Sequence, residues 1–195
     1  MSERRKHQRI RFVQPPPVRI GYAGRTGEGS IENVSLSGLM LSCPFPLTIG
    51  HVLGCEFTLG PWPQLDVAAR VVSHVGDFYG LRLEPGLIAP FILDEAIPGQ
   101  LASGKASTLS FHTLSGKYVM RVVGGLTSVL REDFRHALTR MGIHALDLSA
   151  VTAVDPVGLE LCRVAVARHG TRIIAQSDCF AHAWSADIPT SLSES

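Results

Sequence analysis

Several features are scarce in these 195 residues. There are four cysteines, Cys43, Cys55, Cys162 and Cys179, and no two of them form a CxxC pair. The eight histidines show no HxxxH or other metal-ligand spacing. A structural zinc site and a redox pair are therefore not expected, and the cysteines read as reduced, buried small hydrophobes of a cytosolic protein. Excess charge is also lacking. Eighteen Lys and Arg face seventeen Asp and Glu, a net charge of +1, so no global field draws the chain to nucleic acid or to an anionic membrane. Any anion site has to be local. No apolar run reaches the ~18 residues needed to span a bilayer. The basic start runs into Pro15-Pro16-Pro17 rather than an apolar segment, so no signal peptide is expected. The expected location is cytoplasmic, without membrane insertion.

What is present changes period midway. In the first half, Val18–Tyr22, Ser30–Val34, Leu39–Cys43, Val52–Leu59, Val67–His74 and Tyr79–Leu83 are apolar runs. Gly, Pro, Asp and Ser clusters separate them, at the spacing of a small barrel or sandwich. Six strands in so short a stretch suit a closed barrel, which removes exposed edges. In the second half, Tyr118–Val123 reads as a strand. Leu126, Val129, Leu130, Phe134, Ala137, Leu138 and Met141 then recur at helical spacing. Ala145–Leu148 and Arg172–Ala175 read as further strands. Between them Asp155 is a natural N-cap with Pro156 at the first helical position, and Gly170 is a natural C-terminal stop after His169. This β-α-β-α-β order implies a mixed or parallel sheet flanked by helices. Phe180 and Trp184, four apart on a last helix, read as packing residues. The Pro- and Gly-bearing stretch between the halves reads as a short helix around Pro90–Ala96 and then a linker.

Two local features carry candidate chemistry. The first is the basic segment Arg4-Arg5-Lys6-His7-Gln8-Arg9. Arg5 and Arg9 are four apart, so in a turn-like segment both guanidinium groups can meet one anion. Guanidinium binds phosphate as a fork, stacks on flat rings and pairs with guanine O6 and N7. The second is Asn33-Val34-Ser35-Leu36-Ser37-Gly38, between two strands. Asn can bond a base edge, Ser hydroxyls and backbone N–H groups can hold phosphate, and Gly permits positive φ and close approach of a ligand. Taken singly, the first is more often just a solvated tail and the second more often just a strand connection.

Together, Arg5-xxx-Arg9 and Asn33-x-Ser35-x-x-Gly38 resemble the two-part signature of PilZ domains. The resemblance extends over about residues 3–95 through Gly38-Leu39-Met40-Leu41, Pro46-Leu47-Thr48-Ile49-Gly50, Ala69-Arg70-Val71-Val72 and Tyr79-Gly80-Leu81-Arg82-Leu83. It implies a receptor for cyclic di-GMP. Arg5 and Arg9, assisted by Arg4, would grip phosphates and stack on guanines, while Asn33, Ser35 and Gly38 line the other side. It also implies an arm that is mobile when free and clamped when bound.

In the second half, Tyr118–Leu126 with Arg131–Leu138, and Ala145–Asp155 with Gly158-Leu159, resemble a STAS domain over about residues 107–185. Pro156 and Val157 stand where that family often places a phosphorylatable Ser or Thr, so no phosphorylation switch is expected there.

The expected organisation is therefore a PilZ-like barrel (1–95), a linker (96–106), a STAS-like interaction domain (107–188) and a disordered tail (189–195). A protein partner would be engaged through the STAS-like part, with self-association left open. No cofactor beyond the ligand cyclic di-GMP, no nucleic acid and no metal are expected. An enzyme is not expected either, because no nucleophile–base pair or Gly-rich nucleotide loop appears. The alternative is a PilZ-like adaptor that binds protein without nucleotide. The intact arginines weigh against it.

Overall fold

The computed structural model describes residues 8–84, 86 and 89–186. The chain divides into two compact units, residues 1–100 and 101–195.

The first unit contains β1 (Ile10–Phe12), β2 (Pro17–Tyr22), β3 (Arg25–Ser35), β4 (Gly38–Ser42), β5 (Val52–Phe57), β6 (Leu65–Val75), β7 (Phe78–Leu83) and most of α1 (Ala89–Ala102). Strands β2 to β7 close on themselves in the order β2-β3-β4-β7-β6-β5 and back to β2, every pair antiparallel. Closure leaves none of the six as a bare edge. The alternation of β6 shows how the sequence builds the wall. Leu65, Val67, Ala69 and Val71 point into the core while Asp66, Ala68, Arg70 and Val72 point out. Ile20, Ile31, Leu39, Leu41 and Leu81 fill the interior and are fully buried.

Three features differ from the sequence expectation. Strand β3 begins at Arg25 rather than Ser30. Its Thr-Gly-Glu-Gly start carries no strand signal, yet glycine is what the packing requires. A Cβ at Gly29 would strike the Ser42 carbonyl, and one at Gly27 would strike Pro44 and Phe45. Strand β1 was not anticipated within the basic arm. It pairs with the end of β3, Ile10 opposite Val34 and Arg11 opposite Asn33, with Ile10 and Phe12 buried. Helix α1 extends to Ala102 through Pro98, so most of the stretch expected to be a linker is helical. Packing overrides the Pro98-Gly99 stop signal. Gly99 lies against the Trp62 indole, and Leu93, Ala96 and Gln100 are buried.

The second unit contains β8 (Ala106–Leu114), β9 (Lys117–Leu126), a 3-10 turn (Ser128–Leu130), α2 (Arg131–Arg140), β10 (Ala145–Val154), α3 (Pro156–His169), β11 (Arg172–Gln176) and α4 (Asp178–Ala186). Strands β8 and β9 form an antiparallel hairpin, while β9, β10 and β11 run parallel. The sheet is mixed, as the β-α-β order implied. Strand β8 was missed because its Ser- and Thr-rich sequence lacks the Val and Ile of the other strands. The core joins Met120, Val122, Leu146 and Leu148 of the sheet to Phe134 of α2, Leu159 and Cys162 of α3 and Phe180 of α4. Strand β9 runs through Gly124 and Gly125 instead of ending there, so Leu126 belongs to the strand and not to the helix. Gly124 has φ +87°, and a Cβ on it would meet the Ala106 carbonyl.

Helix α3 forms as expected. The Asp155 side chain accepts from Gly158 N at 2.6 Å, Pro156 opens the helix, and Gly170 closes it with φ 63°. Trp184 stacks on buried Phe180 at 5.3 Å between ring centroids. The cysteines only partly follow expectation. Cys55 and Cys162 are buried, Cys43 is half-buried and Cys179 is exposed, all as free thiols. Burial pushes the Cys55 and Cys162 thiols up to about 12, which makes them unreactive packing groups. The expected disordered tail lies outside the described residues.

Candidate functional site

The two halves of the sequence motif meet at β1 and β3. Strand β1 lies beside the last residues of β3, so the chain just before it is brought onto the barrel wall. Arg9, half-buried, donates from its guanidinium Nη1 to Asn33 Oδ1 at 3.2 Å. Asn33 is itself 8% exposed. Its amide Nδ2 donates to the thioether of Met40 across the β3–β4 pair at 3.5 Å. A thioether is a weak acceptor. The buried amide therefore holds a donor on a poor partner, beside a cation.

The remaining motif residues shape the turn. Ser35 Oγ donates to the Gly38 carbonyl at 3.1 Å and is buried, which locks the β3–β4 connection. Gly38 has no positive φ. Its glycine is required because a Cβ would be driven into the Leu81 carbonyl of neighbouring β7. The positive φ inferred from sequence is thus not used at this residue, and close packing against β7 requires the glycine. Leu83 N donates to Ser37 O at 3.1 Å, tying the same turn to the end of the barrel.

Of the six residues singled out in the sequence, the structure brings Arg9, Asn33, Ser35 and Gly38 to one end of β3 and β4. Arg4 and Arg5 lie outside the described residues. Two neighbours were missed. Arg11 stands exposed on β1 opposite Asn33, and Met40 fixes the Asn33 amide. The alternation Arg9-Ile10-Arg11-Phe12 was the available signal for Arg11, since a strand places both arginines on one face. Met40 had no signal, because its role depends on the β3–β4 register.

In the second unit, Asp147 and Asp155 have structural partners. Asp147 accepts from Ser149 Oγ at 2.6 Å and Ser149 N at 3.0 Å, and faces Arg121 Nε at 3.6 Å. Burial pushes its carboxyl up. The Ser149 hydrogen bonds, with Arg121 and His112, outweigh that and hold it below the ordinary value. Thr152, a hydroxyl near the α3 loop, donates to the Leu101 carbonyl at 2.6 Å. Among the described residues, no group of three or more His, Cys, Asp or Glu could hold a metal ion. No helix among them is long and apolar enough to cross a membrane.

A closed six-stranded antiparallel barrel with an arginine-bearing strand laid against an Asn-x-Ser-x-x-Gly turn defines a recognisable class of small β domain. Residues 3–89 match the family model described as PilZ domain, and this part of the chain is a PilZ domain. Solved structures similar to the chain include the PilZ domain of YcgR from Escherichia coli with c-di-GMP, at 18% identity over 49% of this chain and 88% of that one, TM-score 0.42. Bacillus subtilis inhibitor of motility (MotI/DgrA) matches at 18% identity over 51% of this chain and 53% of that one, TM-score 0.43. The K. pneumonia MrkH–c-di-GMP complex matches at 14% identity over 50% and 52%, TM-score 0.44. The match thus spans about half the length of MotI and of MrkH. No curated protein matches the chain. The family assignment rests on the match at residues 3–89.

Proposed function

We propose that this chain is a bacterial cyclic di-GMP receptor of the cytoplasm, and not an enzyme. In this reading the nucleotide is clamped between the arginine arm and the Asn33–Gly38 turn of the PilZ domain. One observation carries it: the Arg9 guanidinium rests on buried Asn33, so the two motif halves, 24 residues apart in sequence, share one place on the barrel. A guanidinium has five N–H donors, so one group can hold Asn33 and an anion together. The Asn33 Nδ2 donor gains by exchanging a thioether for a phosphate oxygen or a guanine acceptor. Arg5, with Arg4 assisting, would supply the second fork. Ser35 and Gly38 keep the turn in shape under the ligand. Family membership supports the reading, as does c-di-GMP in the YcgR structure.

In the same reading the second unit is the output half, a STAS-like module that meets a protein partner or a second copy. Its support is the parallel β9-β10-β11 core with capped α3 between β10 and β11. Pro156 and Val157 at the start of α3 offer no hydroxyl, so the signal would enter from the nucleotide and not from a kinase.

Calorimetric titration of the full chain with cyclic di-GMP, with GTP as control, tests this. Saturable binding is expected for cyclic di-GMP alone. Arg9→Ala removes charge-assisted bonds worth about 1.5–3 kcal/mol each, so affinity should fall at least about tenfold. Absence of both heat and a thermal shift in the wild-type protein would refute the receptor reading and leave the protein-binding adaptor.

A further inference from the structure

The second unit carries its charge unevenly. Strands β9, β10 and β11 begin along one rim of the sheet, and α2 and α3 end there. Backbone hydrogen bonds fix the row: His144 N donates to Tyr118 O at 2.9 Å, and Arg172 N donates to His144 O at 3.0 Å. On this rim Lys117, Arg140, His144, Arg168, His169 and Arg172 are all exposed. None of these six belongs to a side-chain ion pair identified among the described residues. The acids of the unit sit elsewhere. They occupy the first two turns of α2, α3 and α4, the α3 cap, or the interior of β10, where Asp147 faces Arg121. Among the described residues, no acid stands on the rim.

Helix dipoles account for part of this. Arg140, Arg168 and His169 close α2 and α3, where cations offset the exposed carbonyls. Lys117, His144 and Arg172 lie at strand starts and have no such reason to be basic.

The β8–β9 hairpin projects at the same rim. Ser115 (φ 49°) and Gly116 (φ 76°) make a tight turn with both central residues left-handed, the geometry of a type I′ connection. Leu114 just before the turn is 56% exposed, and Tyr118 just after it is 47% exposed. A rigid tip carrying Leu and Tyr beside a band of cations has two matched components. Leucine and tyrosine suit the boundary between acyl chains and headgroups, and lysine and arginine suit anionic headgroups. Nucleic acid would use the cations, but its phosphate backbone offers the exposed leucine at the turn no apolar contact.

We propose that this rim is a peripheral docking surface for an anionic lipid membrane, with the Leu114–Tyr118 hairpin seated at the headgroup level. The near-neutral net charge of the whole chain makes the attraction local and oriented. All of its residues belong to the second unit.

The test is flotation of the full chain with vesicles of phosphatidylcholine alone or mixed with phosphatidylglycerol. Binding is expected only with phosphatidylglycerol, falling as salt is raised. The double variant Arg140→Gln/Arg172→Gln lowers partitioning roughly thirtyfold, at about fivefold per cation near an anionic surface. Leu114→Ser/Tyr118→Ser weakens the binding that survives at high salt. Both variants alter exposed side chains, so unchanged thermal unfolding verifies that the fold is intact. Three results overturn the proposal: no binding to phosphatidylglycerol vesicles, equal binding by the Arg140→Gln/Arg172→Gln variant, or capture of duplex DNA in place of vesicles.

Discussion

At the scale of single residues, Gly38 and Asn33 show how one motif divides its labour. Gly38 is glycine because the Leu81 carbonyl of β7 occupies the space a side chain would need. Gly38→Ala should therefore destabilise the barrel by about 1–3 kcal/mol, the usual range for overpacking. The loss should be present without nucleotide, as urea unfolding of the free protein would show. Unchanged stability with lost nucleotide binding would instead make ligand contact, and not packing, the reason for glycine here. Asn33 takes the opposite part. It is buried yet keeps its amide beside a cation and on a weak acceptor, a costly place for an amide with no further use. Of this site, Arg9, Asn33, Ser35 and Gly38 could be read from residue type and spacing. Arg11 was legible only in the alternation Arg9-Ile10-Arg11-Phe12, and Met40 was not legible at all, because its place follows from the pairing of β3 with β4.

At the scale of elements, local signals worked where the local chemistry is decisive. Helix α3 has a cap, a first-position proline and a left-handed stop, and all three were legible in the sequence. The signals failed where tertiary packing decides. The glycines of β3, the Pro98-Gly99 step of α1 and the polar strand β8 each look like breaks until the neighbour that fills them is known. Asp155 links both cases. One carboxylate oxygen caps α3 at Gly158 N, as the sequence implies, and the other accepts from Ser128 N at 3.0 Å in the β9–α2 connection. One side chain thus ties two loops at the same end of the parallel strands. Asp155→Ala should cost more than the ~1 kcal/mol of an ordinary cap, because it also removes a charge-assisted bond. Asp155→Asn, with one acceptor oxygen left, should recover part of that loss. Equal stabilities of the Ala and Asn variants in urea would show that only the charge matters.

At the scale of the whole molecule, two compact units share one chain, and each holds one tryptophan. Trp62 packs on Gly99 in the first unit, and Trp184 stacks on Phe180 in the second. This gives each half its own optical reporter once the other tryptophan is replaced by phenylalanine. A ligand that binds only the folded first unit stabilises that unit by mass action, about 2.7 kcal/mol at a hundred times the dissociation constant. If the units unfold independently, cyclic di-GMP should raise the transition seen through Trp62 in the Trp184→Phe variant. It should leave the Trp184 transition in the Trp62→Phe variant where it was. A relay from nucleotide to the second unit requires more, since two sites are coupled only if binding at one changes the free energy of states at the other. A nucleotide-induced shift of the Trp184 transition would measure that coupling directly. With the Trp62 transition raised and the Trp184 transition unmoved, folding stability in the second unit would carry no nucleotide signal, and output would have to come from the barrel and its arm.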